Sequence, residues 1–395
     1  HRPRRLPSGR HRLALLESRT MVGSVIVIGA GVFGAATAHE LARRGWAVRL
    51  VDMDEPGNDR AASGGESRLL RCGHGTDRWY TDSAWRARTL WRELGAAVGE
   101  ELFVDSGVVW FAHRDDGWEA SSEATLDAAG IPVQRLDCAA ARQLFPDLRT
   151  DDLSFVLYEP HAGVLRARRC VTALVRQAVR YGARWQQARA AFAGAAVSVD
   201  GQRRTADRVV WACGPWLARL FPELVELRVT KQDVLFFGAS AAWRTPGVPG
   251  WVDYDLAAYG LGELDGHGVK CNSDVEGPAF DPDTGARVIS PDSERRARGY
   301  LGRRFPCLAD APLTGSHTCQ YALTADTEFI IDRHPEHEGV WLLGGGSGHG
   351  FKHGPAVAEH VADLIDGRAE PDPRFRLGAR PVAGALRTAG GGVRE

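Results

Sequence analysis

No apolar run in the 395 residues is long enough to span a membrane. No two cysteines stand as C-x-x-C. The seven present, Cys72, Cys138, Cys170, Cys213, Cys271, Cys307 and Cys319, are scattered and odd in number, which argues against a disulfide framework and against a zinc site. An excess of one charge is missing too. Lys and Arg total 49 against 50 Asp and Glu, without the basic bias of a nucleic-acid-binding protein. No internal repeat is visible. The first twenty residues are rich in Arg and Pro, and their one apolar patch, 13–16, is too short for a signal-peptide core. Residues 1–20 therefore read as a disordered extension, with Met21 a candidate start. A cytoplasmic protein is the expectation. The length leaves room for two domains.

What is there is concentrated in residues 24–52. A β-branched run, 25–28, suits a buried parallel strand. Gly29, Gly31 and Gly34 follow at G-x-G-x-x-G spacing, with Val32 and Phe33 between them. The first glycine permits the tight turn, the second lets backbone approach a pyrophosphate, and the third lets the helix lie close on the sheet. A small-residue helix then runs to Gly45, its N-terminus aimed at the phosphates. A second strand, 48–51, ends in Asp52, placed to hold ribose hydroxyls, with Met53 beside it. Strand, trio, helix, strand and acid in this order predict an adenine dinucleotide. They do not decide between NAD and FAD.

Further along, periodicity predicts helices over 79–98, 118–129, 139–145, 167–181, 293–305 and 356–365. Strands are expected over 104–111, 155–158, 227–238, 329–332 and 340–343, three more within 182–211, and others within 251–274. Gly214 and Trp216 follow an apolar strand and form a second strand-to-helix turn aimed at the cofactor. A glycine-rich loop, 344–350, including Gly346, opens the last helix. Past Gly367 the composition turns to Pro, Arg and Gly and reads as a frayed tail.

Five landmarks together resemble one family. They are the glycine trio with Asp52; Ser67-Arg68-Leu69-Leu70-Arg71; Gly268-Val269-Lys270; Cys319-Gln320-Tyr321 leading to Asp326 and Asp332; and Gly348-His349-Gly350-Phe351-Lys352. The chain is similar to the monomeric sarcosine oxidase group of the D-amino acid oxidase superfamily, which includes N-methyltryptophan and pipecolate oxidases. The likeness runs over nearly all of 22–366. It implies an α/β fold with a discontinuous Rossmann-like FAD-binding domain (21–78, 151–225, 325–370). It also implies an α+β catalytic domain with a large mixed sheet (79–150, 226–324), leaving 371–395 as a tail.

The resemblance also implies roles. FAD would be tethered through its 8α-methyl group to Cys319. Arg71 and Lys352 would hold a substrate carboxylate, and Lys270 would activate oxygen. Arg68 would sit beside the flavin, and Tyr259 would keep the family's aromatic. Two departures stand out. Ser63 and Gly64 replace basic residues ahead of Ser67. Asp274 replaces a histidine four residues past the lysine, where it would oppose a carboxylate but could pair with an amine. The implied reaction is oxidation of a C–N bond, with oxygen reduced to peroxide, on a larger or cyclic secondary amine or an unusual amino acid. A monomer is implied, with no metal, nucleic acid or membrane partner. A flavin dehydrogenase, a non-catalytic flavoprotein and an NAD-dependent dehydrogenase remain as alternative readings.

Overall fold

A computed structural model describes residues 21–382. The expected extension, 1–20, and residues 383–395 lie outside the described part.

Two sheets carry the structure. The first has six strands in the order Ile330–Arg333, Val340–Gly344, Arg208–Trp211, Ser24–Ile28, Ala47–Asp52 and Arg184–Gln187. All its pairings are parallel except that of the two last strands in sequence, which pair antiparallel. Val25 and Val27 are buried on its helix-covered face and Ile26 and Ile28 on the other, so a continuous apolar run serves where alternation would not. Helices Val32–Arg43, Ala167–Arg180 and Gly354–Ile365 lie over one face. The first can pack tightly because Ala35, Ala36, Ala38 and Ala42 are small and almost fully buried. A Cβ at Gly34 would lie 1.8 Å from the Gly29 carbonyl oxygen, so only glycine lets this helix sit where it does.

The second sheet has eight strands and is mixed. Leu313–Leu323, Arg228–Phe237, Val269–Ser273, Ala258–Leu261 and Gly250–Asp253 run antiparallel to their neighbours; the last pairs parallel with Val108–Ala112. Trp251, Phe237, Phe111 and Phe305 pack beneath it. Each such side chain removed from water contributes roughly 1.5–3 kcal/mol. The helix Arg78–Val98 packs against Gly354–Ile365. Among the described residues no helix is long and apolar enough to cross a membrane.

Three expectations need correction. The strand expected over 104–111 is broken into Phe103–Val104 and Val108–Ala112, because Gly107 between them takes a φ of +72°. The three strands expected in 182–211 are five, because turns at Gly194 and Gly201, both at positive φ, fold Ala190–Arg204 into a separate three-stranded meander. The described part of the expected frayed tail is packed. Phe375 is fully buried against Trp79, and Arg374 bridges Asp77 and Glu328. One buried ring and one ion-paired arginine outweigh a composition that otherwise reads as loose.

Candidate active site

The strands Ser24–Ile28, Arg208–Trp211 and Val340–Gly344 are parallel neighbours, so the turns that follow them gather at one edge. A cavity of about 610 Å³ opens there. Gly29, Gly31, Val32, Phe33, Asp52 and Met53 form one part of its wall. Gly214 and Trp216 from the second turn, and Gly346, Gly348, Gly350 and Phe351 from the third, also line it. Ser63, Arg68 and Gln320 reach it from other segments.

This wall fits an adenine dinucleotide. Gly29 stands at φ +102°, and a Cβ on it would lie 2.3 Å from the Ala212 carbonyl oxygen. A Cβ on Gly350 would meet Gly346 and the Phe33 ring, each at 2.9 Å. Both loops are thus folded as tightly as backbone allows. The Asp52 carboxylate accepts hydrogen bonds from the Ala30 N–H at 2.6 Å and the Asp54 N–H at 3.0 Å. It therefore fixes the glycine turn as well as facing the cavity. Ser63, the residue that departs from the family pattern, accepts from the Val32 N–H at 3.2 Å, at the first turn of the helix.

Arg68, on the cavity wall, forms one group with Cys319 and Lys270, which do not themselves line the cavity. The Arg68 guanidinium donates to the carbonyls of Gly64 (2.6 Å), Ala62 (3.1 Å) and Ser67 (2.8 Å), and lies 3.7 Å from the Cys319 sulfur. The Lys270 ammonium donates to the Ser67 carbonyl at 3.1 Å and lies over the Tyr259 ring. Lys270 is a strand residue pointing inward, 2% exposed. Burial, aided by the Arg68 charge, pulls its amine down to about 7. His317, two residues before the thiol on the same strand, is held down to about 4 by burial, with Glu66 beside it.

A second group contains Arg71, Lys352 and Asp274. Arg71 is buried, donates to the Gly73 carbonyl at 2.6 Å and lies 4.6 Å above the Trp110 ring. Lys352 is 3% exposed and donates to the His349 carbonyl at 3.0 Å. Burial holds its amine well below the ordinary lysine range, and the Arg71 charge is the next cause. The Arg71 guanidinium is lowered by burial and supported by Glu159 and Asp274. Asp274 accepts from the Tyr321 hydroxyl at 2.8 Å. The Tyr259 hydroxyl accepts from the Asn272 amide at 3.1 Å, and burial pushes that phenol up to about 12.

Several expected cofactor contacts do not line the cavity themselves. Gly34 packs helix on strand, and Ser67 presents its carbonyl to Lys270 and Arg68. Leu69 packs among Val104, Val164 and Leu261. His349 donates or accepts through Nε2 at the Thr327 carbonyl and stacks on Phe329, behind the glycine loop. Trp110, Asn272 and Tyr254, whose ring stacks on Trp118 at 4.7 Å, were not singled out from sequence. Nothing in their local spacing marks them, since each sits in an ordinary strand or turn.

Comparison with known proteins identifies the family. The profile of a family described as FAD dependent oxidoreductase (DAO) matches residues 24–364. A monomeric sarcosine oxidase of Streptomyces avermitilis is 32% identical, covering 91% of this chain and 98% of its own. An N-methyl-L-tryptophan oxidase of Salmonella arizonae is 29% identical, over 89% of this chain and 96% of its own. The crystal structure of L-proline dehydrogenase from P. horikoshii superimposes with a TM-score of 0.80 at 20% identity, covering 91% and 97%, and so shares the fold. The nicotinamide alternative falls with the family match. With the family profile matching 24–364 and a relative at 32% identity over most of both chains, the chain belongs to the DAO family of FAD-dependent oxidoreductases.

Proposed function

We propose that the protein oxidises the C–N bond of a secondary amino acid, N-methylated or cyclic, to the imine. The amine gives up two electrons and two protons in sum, and dioxygen takes them up as hydrogen peroxide. Bound FAD supplies the chemistry of accepting a hydride equivalent and handing the electrons on. The relatives' names support the substrate class, being oxidases of sarcosine and of N-methyl-L-tryptophan.

One observation carries the reading. Arg71 and Lys352 are buried together, each stripped of water, and the Arg71 charge helps drive the Lys352 amine down. Two such cations are stabilised most by a planar carboxylate set between them. A substrate carboxylate bound there favours the charged form of both side chains and fixes the orientation of the α-carbon. Asp274, anchored by Tyr321, provides an acceptor that a substrate amine N–H can meet, and disfavours a second substrate carboxylate on that side. The buried Lys270 ammonium offers positive charge where oxygen would gain electrons. Cys319 is the proposed point of covalent attachment to the 8α-carbon. Its support is the neighbouring Arg68, which can stabilise a thiolate. The working unit is proposed to be a monomer.

Purified protein should be yellow and release peroxide with sarcosine, N-methyl-L-tryptophan, L-pipecolate or L-proline. Silence across all four would overturn the reading. Acid precipitation should leave the colour in the pellet for wild type and in the supernatant for Cys319→Ser. Colour in the wild-type supernatant would remove the covalent bond and leave FAD in place.

A further inference from the structure

We infer that Glu159, at the end of the strand Phe155–Glu159, is a positioning residue that holds Arg71 in its carboxylate-binding pose. This rests on the proposed role of Arg71 and extends it to a residue that never touches the substrate.

The geometry is a closed ring. One Glu159 oxygen accepts from the Cys72 N–H at 2.6 Å. The other accepts from the Gly73 N–H at 3.1 Å and from the Trp110 indole N–H at 2.7 Å. The Gly73 carbonyl, on the turn pinned by those two N–H groups, in turn accepts from Arg71 at 2.6 Å. The guanidinium plane then rests on the same Trp110 ring whose N–H points at the carboxylate. A single carboxylate therefore fixes both supports of the arginine, the carbonyl below it and the indole beside it.

The ring is dry. Glu159 is 2% exposed and Trp110 is fully buried. A carboxylate in such a place is retained only where its lone pairs are met, and here three donors meet them. Gly73 is part of the fit, because a Cβ there would lie 3.1 Å from the carboxylate oxygen and 3.2 Å from the indole. The charge matters as well as the shape. Glu159 acts on both Arg71 and Lys352 in the direction that keeps them protonated, against the burial that drives them down. A substrate carboxylate thus meets cations backed by an anion on their far side.

Glu159→Gln tests this, because it keeps volume and removes charge. The glutamine amide would also face a backbone N–H with a donor of its own. In the FAD-loaded full chain, KM for a carboxylate-bearing amine should rise roughly tenfold or more, while kcat at saturation changes by less than about threefold. The dissociation constant of acetate, read by titrating the flavin absorbance, should rise in parallel. Trp110→Phe keeps the ring under Arg71 and removes one donor. It should give a smaller rise of roughly threefold, and it decides the matter if Glu159→Gln does not fold.

An unchanged acetate constant in folded Glu159→Gln overturns the assignment, even if its melting temperature falls, because that outcome is a purely structural role. If Glu159→Gln does not fold, an unchanged acetate constant in Trp110→Phe overturns it instead. Wild type that neither binds acetate nor oxidises a carboxylate-bearing amine would instead sink the role of Arg71 itself.

Discussion

Gly29, Gly31 and Gly350 line the cavity with main chain, whereas Arg71, Lys270 and Lys352, which do not line it, bring buried charge from three distant segments; these are the two ends of the proposed site. The first end works by shape. Its turns are folded so closely that a Cβ at Gly29 or Gly350 would sit within 3 Å of a neighbouring atom. The second end works by unfavourable burial. Both of its lysines are driven below their ordinary range, and each is held by a backbone carbonyl rather than by a carboxylate hydrogen bond. The backbone end needs no charge because helix and turn N–H groups suffice for a diphosphate. The charged end stores electrostatic free energy that a substrate anion releases.

The contrast predicts that the two ends fail differently. Gly29→Ala should abolish FAD loading outright. A side chain at φ +102° costs about 1–2 kcal/mol, and the 2.3 Å clash with Ala212 adds to it. The check is the ratio of flavin to protein absorbance after purification. A fully yellow Gly29→Ala would break the claim that this turn is shaped by contact distance.

Arg71→Ala should leave the protein yellow and raise KM for a carboxylate-bearing amine roughly 100-fold, the worth of a charge-assisted pair of hydrogen bonds. Arg71→Lys should recover only part of this, since a point charge cannot reproduce the fork over Trp110. Loss of flavin in Arg71→Ala, with KM unaltered in what remains, would erase the division between the two ends.

The same division explains what could be read from sequence. The backbone end depends on glycine spacing within short local stretches, so the trio with Asp52 and, separately, the loop 344–350 were legible. Tertiary closeness decides the charged end. Arg71, Lys270, Cys319 and Lys352 entered through resemblance to a family, not through spacing. Glu159 and Trp110 could not enter at all, because a strand-end acid and a strand tryptophan carry no local sign that they support an arginine. The split of the strand at Gly107 and the packing of Phe375 were missed for a related reason. One glycine at positive φ and one ring finding an aromatic cluster each override the average of their windows.

Within the charged end, Lys270 and Lys352 should also separate. Lys270→Met is expected to slow reoxidation of the reduced enzyme by oxygen roughly 100-fold, while anaerobic reduction by substrate changes little. Stopped-flow measurement of the two half-reactions reads this directly. Equal slowing of both would assign Lys270 to substrate binding and merge the two groups.

The smallest effect concerns stability. The Lys270 amine titrates at about 7 in the folded chain and near 10.5 when unfolded. Between those values the unfolded chain holds more protons, so stability rises with pH across that window. The cost of burying the charge is therefore full below about pH 7 and is gone above about pH 10.5. Lys270→Met removes the group and its cost together. At pH 6 the variant should be the more stable by on the order of 2–4 kcal/mol, read as a higher Tm, with the gap closing towards pH 10. A gap that stays constant with pH would mean that packing, and not buried charge, distinguishes lysine from methionine there. The contrast between an end built of backbone and an end built of strained charge would then lose its energetic basis.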